Sequence, residues 1–218
     1  MSAPQITRLY LLRHGQVEAT WRGKIYGDLD VALSDRGRRD AERCAHQLEN
    51  VDLAGVLSSG LRRSDYGAAQ LTRDRELVPV VEPRLREIDR GAWRGHTFAE
   101  IDRDHAGSWS RWSKAPEHRA PVSGESLADL ARRVRPALEH WADRFAGREW
   151  AAVGHSWVVR VAVCDALGLD LNQAPRLDIR TGSINVLERL APGRWLCAGT
   201  NLDHVPALGT WRGGASPK

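Results

Sequence analysis

Two strings in the chain end an apolar run on a histidine: Leu9-Tyr10-Leu11-Leu12-Arg13-His14-Gly15 and Trp150-Ala151-Ala152-Val153-Gly154-His155. A third, Ala54-Gly55-Val56-Leu57, runs into Ser58-Ser59-Gly60 and then into Arg62, Arg63 and Ser64. Arginine is a fixed cation with a planar fork of donors, and imidazole is a donor, acceptor or nucleophile near neutral pH. Brought together, two guanidinium forks and two imidazoles suit a dianionic tetrahedral group such as phosphoryl. Moving such a group requires alignment and neutralisation of charge on its equatorial oxygens, which arginines can supply. A neutral ring nitrogen can attack, and a departing alkoxide then needs a proton. Glu87, within Leu85-Arg86-Glu87-Ile88-Asp89, is the best-placed carboxylic acid for that step.

Such convergence needs a scaffold that brings distant strand ends to one edge. Residues 6–12 read as a strand with too little alternation to be half exposed, hence central and buried. Gly15 would let the backbone turn sharply after it. Ser34 offers an N-cap to a helix whose apolar face carries Ala41, Cys44, Ala45 and Leu48. Further strands are expected at 54–57, 78–81, 150–153, 184–187 and 195–198. Leu127, Leu130, Ala131, Val134, Leu138, Trp141 and Phe145 keep a helical period, with Pro136 expected to kink that helix. The helix at 157–167 is apolar nearly all round and must be buried, and Gly168 ends it. This alternation predicts an α/β three-layer sandwich: a mixed, mainly parallel sheet flanked by helices. Its strand ends share one edge, where ligands bind.

The 218 residues, 42% hydrophobic and 28% charged, suit one domain over 1–218 with a full core. A cap or lid insertion is expected around 93–123, read as irregular, and a flexible tail at 213–218. No apolar stretch is long enough to span a membrane, and the opening residues lack a secretory pattern. The three cysteines, Cys44, Cys164 and Cys197, are scattered in apolar surroundings and read as reduced core residues of a cytoplasmic protein. The net charge of +4 is spread along the chain, which argues against nucleic acid as a partner and allows an anionic small substrate. No histidine spacing matches a metal-ligand motif, so no metal is expected. Trp21, Arg22 and Tyr26 in the early loop, and Trp109, Arg111 and Trp112 in the cap, are aromatic and basic and could face a ligand. A solvated loop and a tryptophan-rich satellite core are the alternative readings.

In the order and spacing of four motifs the chain resembles the histidine phosphatase superfamily, the phosphoglycerate mutase-like proteins. These are Leu12-Arg13-His14-Gly15, Ser59-Gly60-Leu61-Arg62-Arg63-Ser64, Leu85-Arg86-Glu87-Ile88-Asp89 with Gly91, and Val153-Gly154-His155. Gly124-Glu125-Ser126 is a supporting match. The resemblance implies that His14 forms a phosphohistidine and that Arg13, Arg63 and His155 hold the phosphoryl oxygens. It also implies that Glu87 is proton donor and then base, with catalysis resting on His14, Glu87 and His155. Its spacing selects Arg63 over Arg62, and it implies that no cofactor or metal is needed. Val17 and Thr20 stand where many relatives have Ser or Thr and Asn touching phosphate, and Ser156 replaces a common glycine. Thr20 is kept as a candidate phosphate contact. The segment at 93–123 is shorter than the insertion of the cofactor-dependent mutases, which favours a phosphatase of small phosphorylated metabolites. A phosphoglycerate mutase and a silent phospho-ligand or protein-binding member are the alternatives, and a homodimer is possible.

Overall fold

Strand β1 (Thr7–Arg13) lies inside a six-stranded sheet in the computed structural model, which describes residues 6–104, 107–203 and 205. The other strands are β2 (Leu53–Ser58), β3 (Val80–Val81), β4 (Glu149–Gly154), β5 (Ile184–Ala191) and β6 (Arg194–Leu202). Their order across the sheet is β3-β2-β4-β1-β5-β6. The pairs β3–β2, β2–β4 and β4–β1 are parallel, and β1–β5 and β5–β6 are antiparallel. The expected mixed, mainly parallel sheet is therefore present.

The alternation of β1 explains why it reads as continuously apolar. Leu9 and Leu11 join one hydrophobic cluster, and Tyr10 and Leu12 join the other. A strand covered on both faces needs apolar residues at every position. Helices α1 (Asp35–Gln47) and α2 (Arg62–Thr72) cover the Tyr10 face, through Cys44, Leu48, Ala68 and Leu71. Helices α5 (Leu127–Arg144) and α6 (Ser156–Leu167) cover the other. The first two crossovers run outward from β1 to β3, and the return through α5 runs on the opposite face, as right-handed connections require.

Local chemistry sets the helix ends. The Ser34 hydroxyl accepts from the Gly37 amide at 3.1 Å and starts α1. Ser126 and Asp129 form a reciprocal capping box at the start of α5, which continues through Pro136 as one helix. Gly168 ends α6 at φ 65°, the left-handed conformation that glycine adopts without strain.

The segment at 93–123 departs from the irregular reading. It contains α3 (Phe98–Asp104) and α4 (Ser108–Trp112). Each buries a single residue, Ile101 and Trp112, so neither repeats an apolar position that a period could reveal. Trp93 and Trp112 are buried in the main core cluster with Trp109 packed against it, so the satellite-core reading describes this segment in part. The strand expected at 78–81 reduces to the exposed pair Val80–Val81. The tail expected at 213–218 lies outside the described residues. Among the described residues no helix is long and apolar enough to cross a membrane.

Candidate active site

Register brings the three motif-bearing strand ends to one edge. Leu12 and Ser58 both pair with Val153, and Arg13 pairs with Gly154. The residues that follow, His14, Ser59 and His155, therefore leave the sheet side by side. The His14 and His155 rings lie 5.2 Å apart between centroids and are tilted by 56°. Both are buried.

Gly15 serves closeness here. A Cβ on it would come within 2.1 Å of the Gly37 carbonyl oxygen, and one on Gly37 within 2.0 Å of that of Gln16. The loop after β1 is thereby pressed against the first turn of α1. In that loop His14 Nδ1 donates to the Gly15 carbonyl at 2.7 Å. A carbonyl only accepts, so Nδ1 carries the proton and the Nε2 lone pair is free. Burial, then the charges of Arg63 and Arg13, hold the His14 pKa well below its ordinary value, which keeps the ring neutral. His155 is lowered in the same way, by burial first and then by Arg63, His14 and Arg13. Its Nε2 is hydrogen-bonded to the Ser59 hydroxyl at 2.7 Å, and its buried Nδ1 has no partner.

The arginines are held from behind. Arg63, at the start of α2, is fully buried and donates to the Leu29 carbonyl at 2.6 Å and the Gly27 carbonyl at 2.8 Å. Its guanidinium lies 5.3 Å from the Tyr26 ring centroid, and its Nε has no partner. Burial lowers its pKa, only partly offset by Tyr26 and the acids around it. Arg62 points the other way: it is exposed and pairs with Asp30. Arg13 donates to the Ile179 carbonyl, and its buried Nε is likewise unpartnered.

Glu87 sits at the N-terminus of α6. Its Oε1 accepts from the Trp157 amide at 3.2 Å and from the Ile88 amide at 3.0 Å. The cavity beside these groups measures about 160 Å³ and is lined by Arg13, Lys24, Tyr26, Glu87, Arg90 and Trp109, among others.

The expected residues are thus not all gathered. Arg13, Tyr26, Glu87 and Trp109 line the cavity, and His14 lies 6.5 Å from Tyr26 between ring centroids. Thr20 and Arg22 are exposed at the 3₁₀ turn Ala19–Trp21 and are not among the lining residues. Trp21 reaches the site only through Tyr26, at 6.4 Å. Arg111 and Trp112 line a different cavity, with His118 and Pro121. Sequence reasoning missed Ser59 as the partner of His155, and the Gly27 and Leu29 carbonyls that aim Arg63. It also missed Arg90. Ser59 lies inside the motif Ser59–Ser64 and Arg90 directly follows Leu85–Asp89, but neither has a spacing rule of its own. Among the described residues no group of three or more histidine, cysteine or acidic side chains is placed to hold a metal ion.

Comparison with known proteins places the chain. The profile of the histidine phosphatase superfamily (branch 1) matches residues 9–203. Phosphoserine phosphatase 1 of Hydrogenobacter thermophilus is 32% identical over 168 residues, covering 77% of this chain and 80% of that protein. Glucosyl-3-phosphoglycerate phosphatase of Mycobacterium tuberculosis is 40% identical over 131 residues, covering 60% of this chain and 58% of that one. The solved structure of a mycobacterial glucosyl-3-phosphoglycerate phosphatase superposes with a TM-score of 0.82 at 30% identity, covering 90% of this chain and 99% of that one.

Proposed function

The chain belongs to the histidine phosphatase superfamily, branch 1, and on that footing we propose that it hydrolyses small phosphomonoesters through a phosphohistidine on His14. It is a phosphoric monoester hydrolase. The relatives that carry the reading act, by their names, on phosphoserine and on glucosyl-3-phosphoglycerate. A cavity of about 160 Å³ suits a substrate of a few carbons; drug-sized ligands occupy roughly 300–1,000 Å³.

The chemistry follows from the site. The Nε2 lone pair of neutral His14 attacks phosphorus while the bond to the ester oxygen breaks. Arg13 and Arg63 offset the charge on the phosphoryl oxygens, and His155 contacts the same group. Glu87 donates its proton to the departing alkoxide. Its carboxylate then takes a proton from water as that water attacks the phosphohistidine. The P–N bond breaks, inorganic phosphate leaves and His14 is neutral again.

The observation that supports this most is the pairing of two buried imidazoles, 5.2 Å apart, with a free Nε2 on the first. The test is hydrolysis of p-nitrophenyl phosphate in the presence of EDTA, by the wild type and His14→Ala, with an acid-labile phosphoenzyme trapped by rapid quench. Turnover and adduct in the wild type, both lost in the variant, are expected. Turnover confined to phosphoglycerates and dependent on a bisphosphoglycerate primer would make the protein a mutase. Phosphate or vanadate bound without turnover would make it a silent binding member.

A further inference from the structure

Arg90 is part of the cavity that the mechanism above does not use. It follows the Glu87 motif directly and opens the 3₁₀ turn Gly91–Trp93. Only 3% of it is exposed. Its guanidinium carbon lies 4.3 Å from the Trp112 ring centroid, 5.0 Å from that of Trp157 and 6.0 Å from that of Trp109. Its buried Nη1 has no hydrogen-bond partner, and the carboxylate next to it in the chain, Asp89, pairs with Arg94 instead. Burial pulls its pKa down to about 10, with Glu87 and Glu125 acting against that and Arg160 adding to it. At neutral pH it is still charged.

A buried cation without an anion is costly, and aromatic faces offset only part of that cost. The arrangement makes sense when the missing partner arrives with the substrate, because Arg90 lines the same cavity as Arg13 and Glu87. Trp112 and Trp157 stand nearly perpendicular to each other, at 88°, beside the guanidinium, so among the described residues aromatic rings and no anion surround the cation. A planar carboxylate is the anion whose shape matches a guanidinium, meeting it with two parallel hydrogen bonds. One caged cation also matches one negative charge, whereas the phosphoryl end already has Arg13 and Arg63.

We infer that Arg90 receives a carboxylate on the substrate, so that the preferred substrates are phosphomonoesters of small carboxylic acids. This rests on the phosphatase reading and narrows it. The test compares 3-phosphoglycerate with glycerol 3-phosphate, which differ only by a carboxylate in place of a hydroxymethyl group, with p-nitrophenyl phosphate as the general substrate. The wild type is expected to favour 3-phosphoglycerate by at least tenfold in kcat/KM. Arg90→Met is expected to reduce that preference roughly 10- to 100-fold, mainly through KM for the carboxylated ester. Arg90→Lys, which keeps the charge without the fork, should lose part of the preference and serves if Arg90→Met does not fold. A wild type that turns over all three esters without preferring the carboxylated one overturns the inference and leaves the phosphatase reading standing. So do variants that slow both matched esters equally. A folded wild type that hydrolyses none of the three ends both.

Discussion

The two ends of β1 treat the same side chain in opposite ways. Arg8, near its start, is buried and lies in register with Glu149 on β4 and Glu188 on β5. Its Nε and Nη2 donate to Glu188 Oε1 at 3.0 and 2.6 Å, Glu149 lies 3.8 Å away, and Tyr10 donates to Glu149. Burial lowers the Arg8 pKa, but the bonds to Glu188 and Tyr10 outweigh it and the net shift is upward. Five residues on, roughly 17 Å along the strand, Arg13 and its neighbours Arg63 and Arg90 each keep a buried nitrogen without a partner. There the pKa values of Arg63 and Arg90 fall. Burial alone therefore does not mark function. A buried arginine paired with carboxylates is structure, as Arg8 is and as Arg189 beside it is despite an unpartnered Nε, and one that has no carboxylate partner is a candidate receptor.

That contrast can be broken by mutation. The largest effect is expected at His14→Ala, which removes the nitrogen we propose as the nucleophile and should cost roughly 10⁵-fold or more in kcat, measured by single turnover. Arg63→Gln should lower kcat/KM about 10³-fold, while costing less stability than a cut at the other end. Glu188→Ala should do the reverse, losing about 1–3 kcal/mol in urea unfolding because Arg8 loses both of its side-chain hydrogen bonds and keeps only the more distant Glu149, with kcat unchanged. If Glu188→Ala instead impaired turnover as Arg63→Gln does, the division between the two ends would fail. Glu87→Gln should slow an alkyl phosphate roughly 10²- to 10⁴-fold and p-nitrophenyl phosphate far less, since only the poor leaving group needs the proton. Equal slowing would remove Glu87 as the acid.

The smallest effect is on pH dependence. Both imidazoles have folded pKa values well below 6.5. Below about pH 6.5 the unfolded chain therefore binds protons that the folded chain refuses, and stability declines as pH falls. Their contribution is fully present above that pH and is lost as pH drops towards the depressed folded values. The two together can give a slope of at most about 2.7 kcal/mol per pH unit. His155→Gln should halve it, as read from urea midpoints between pH 4.5 and 6.5.

Much of the scaffold was legible because the signals are local. Continuous apolarity in β1 follows from helices on both faces, and Ser34, Ser126 and Gly168 announce helix ends through bonds made within a few residues. Helices α3 and α4 were not legible, since a turn or two with one buried residue has no period to detect. Within the site, strand-end chemistry suggested Arg13, His14 and His155, the need for a proton donor suggested Glu87, and the family resemblance selected Arg63 over Arg62. The loop and cap residues were a matter of composition alone, and composition does not say which side of a loop meets a cavity. Thr20 and Arg22 face water, while Tyr26 beside them faces His14.

By itself the sequence determined which groups could act and which segments would carry them, because side-chain chemistry and short-range periodicity are properties of neighbouring residues. Only the tertiary structure decided which of those groups lack a partner. Arg8 and Arg90 are the same residue to a reader of the chain. One is satisfied by two strands that lie beside its own, and the other is enclosed by three tryptophans from distant segments, with a donor left over. Satisfaction of a charge is a sum over everything that surrounds it, and that sum exists only once the chain has folded.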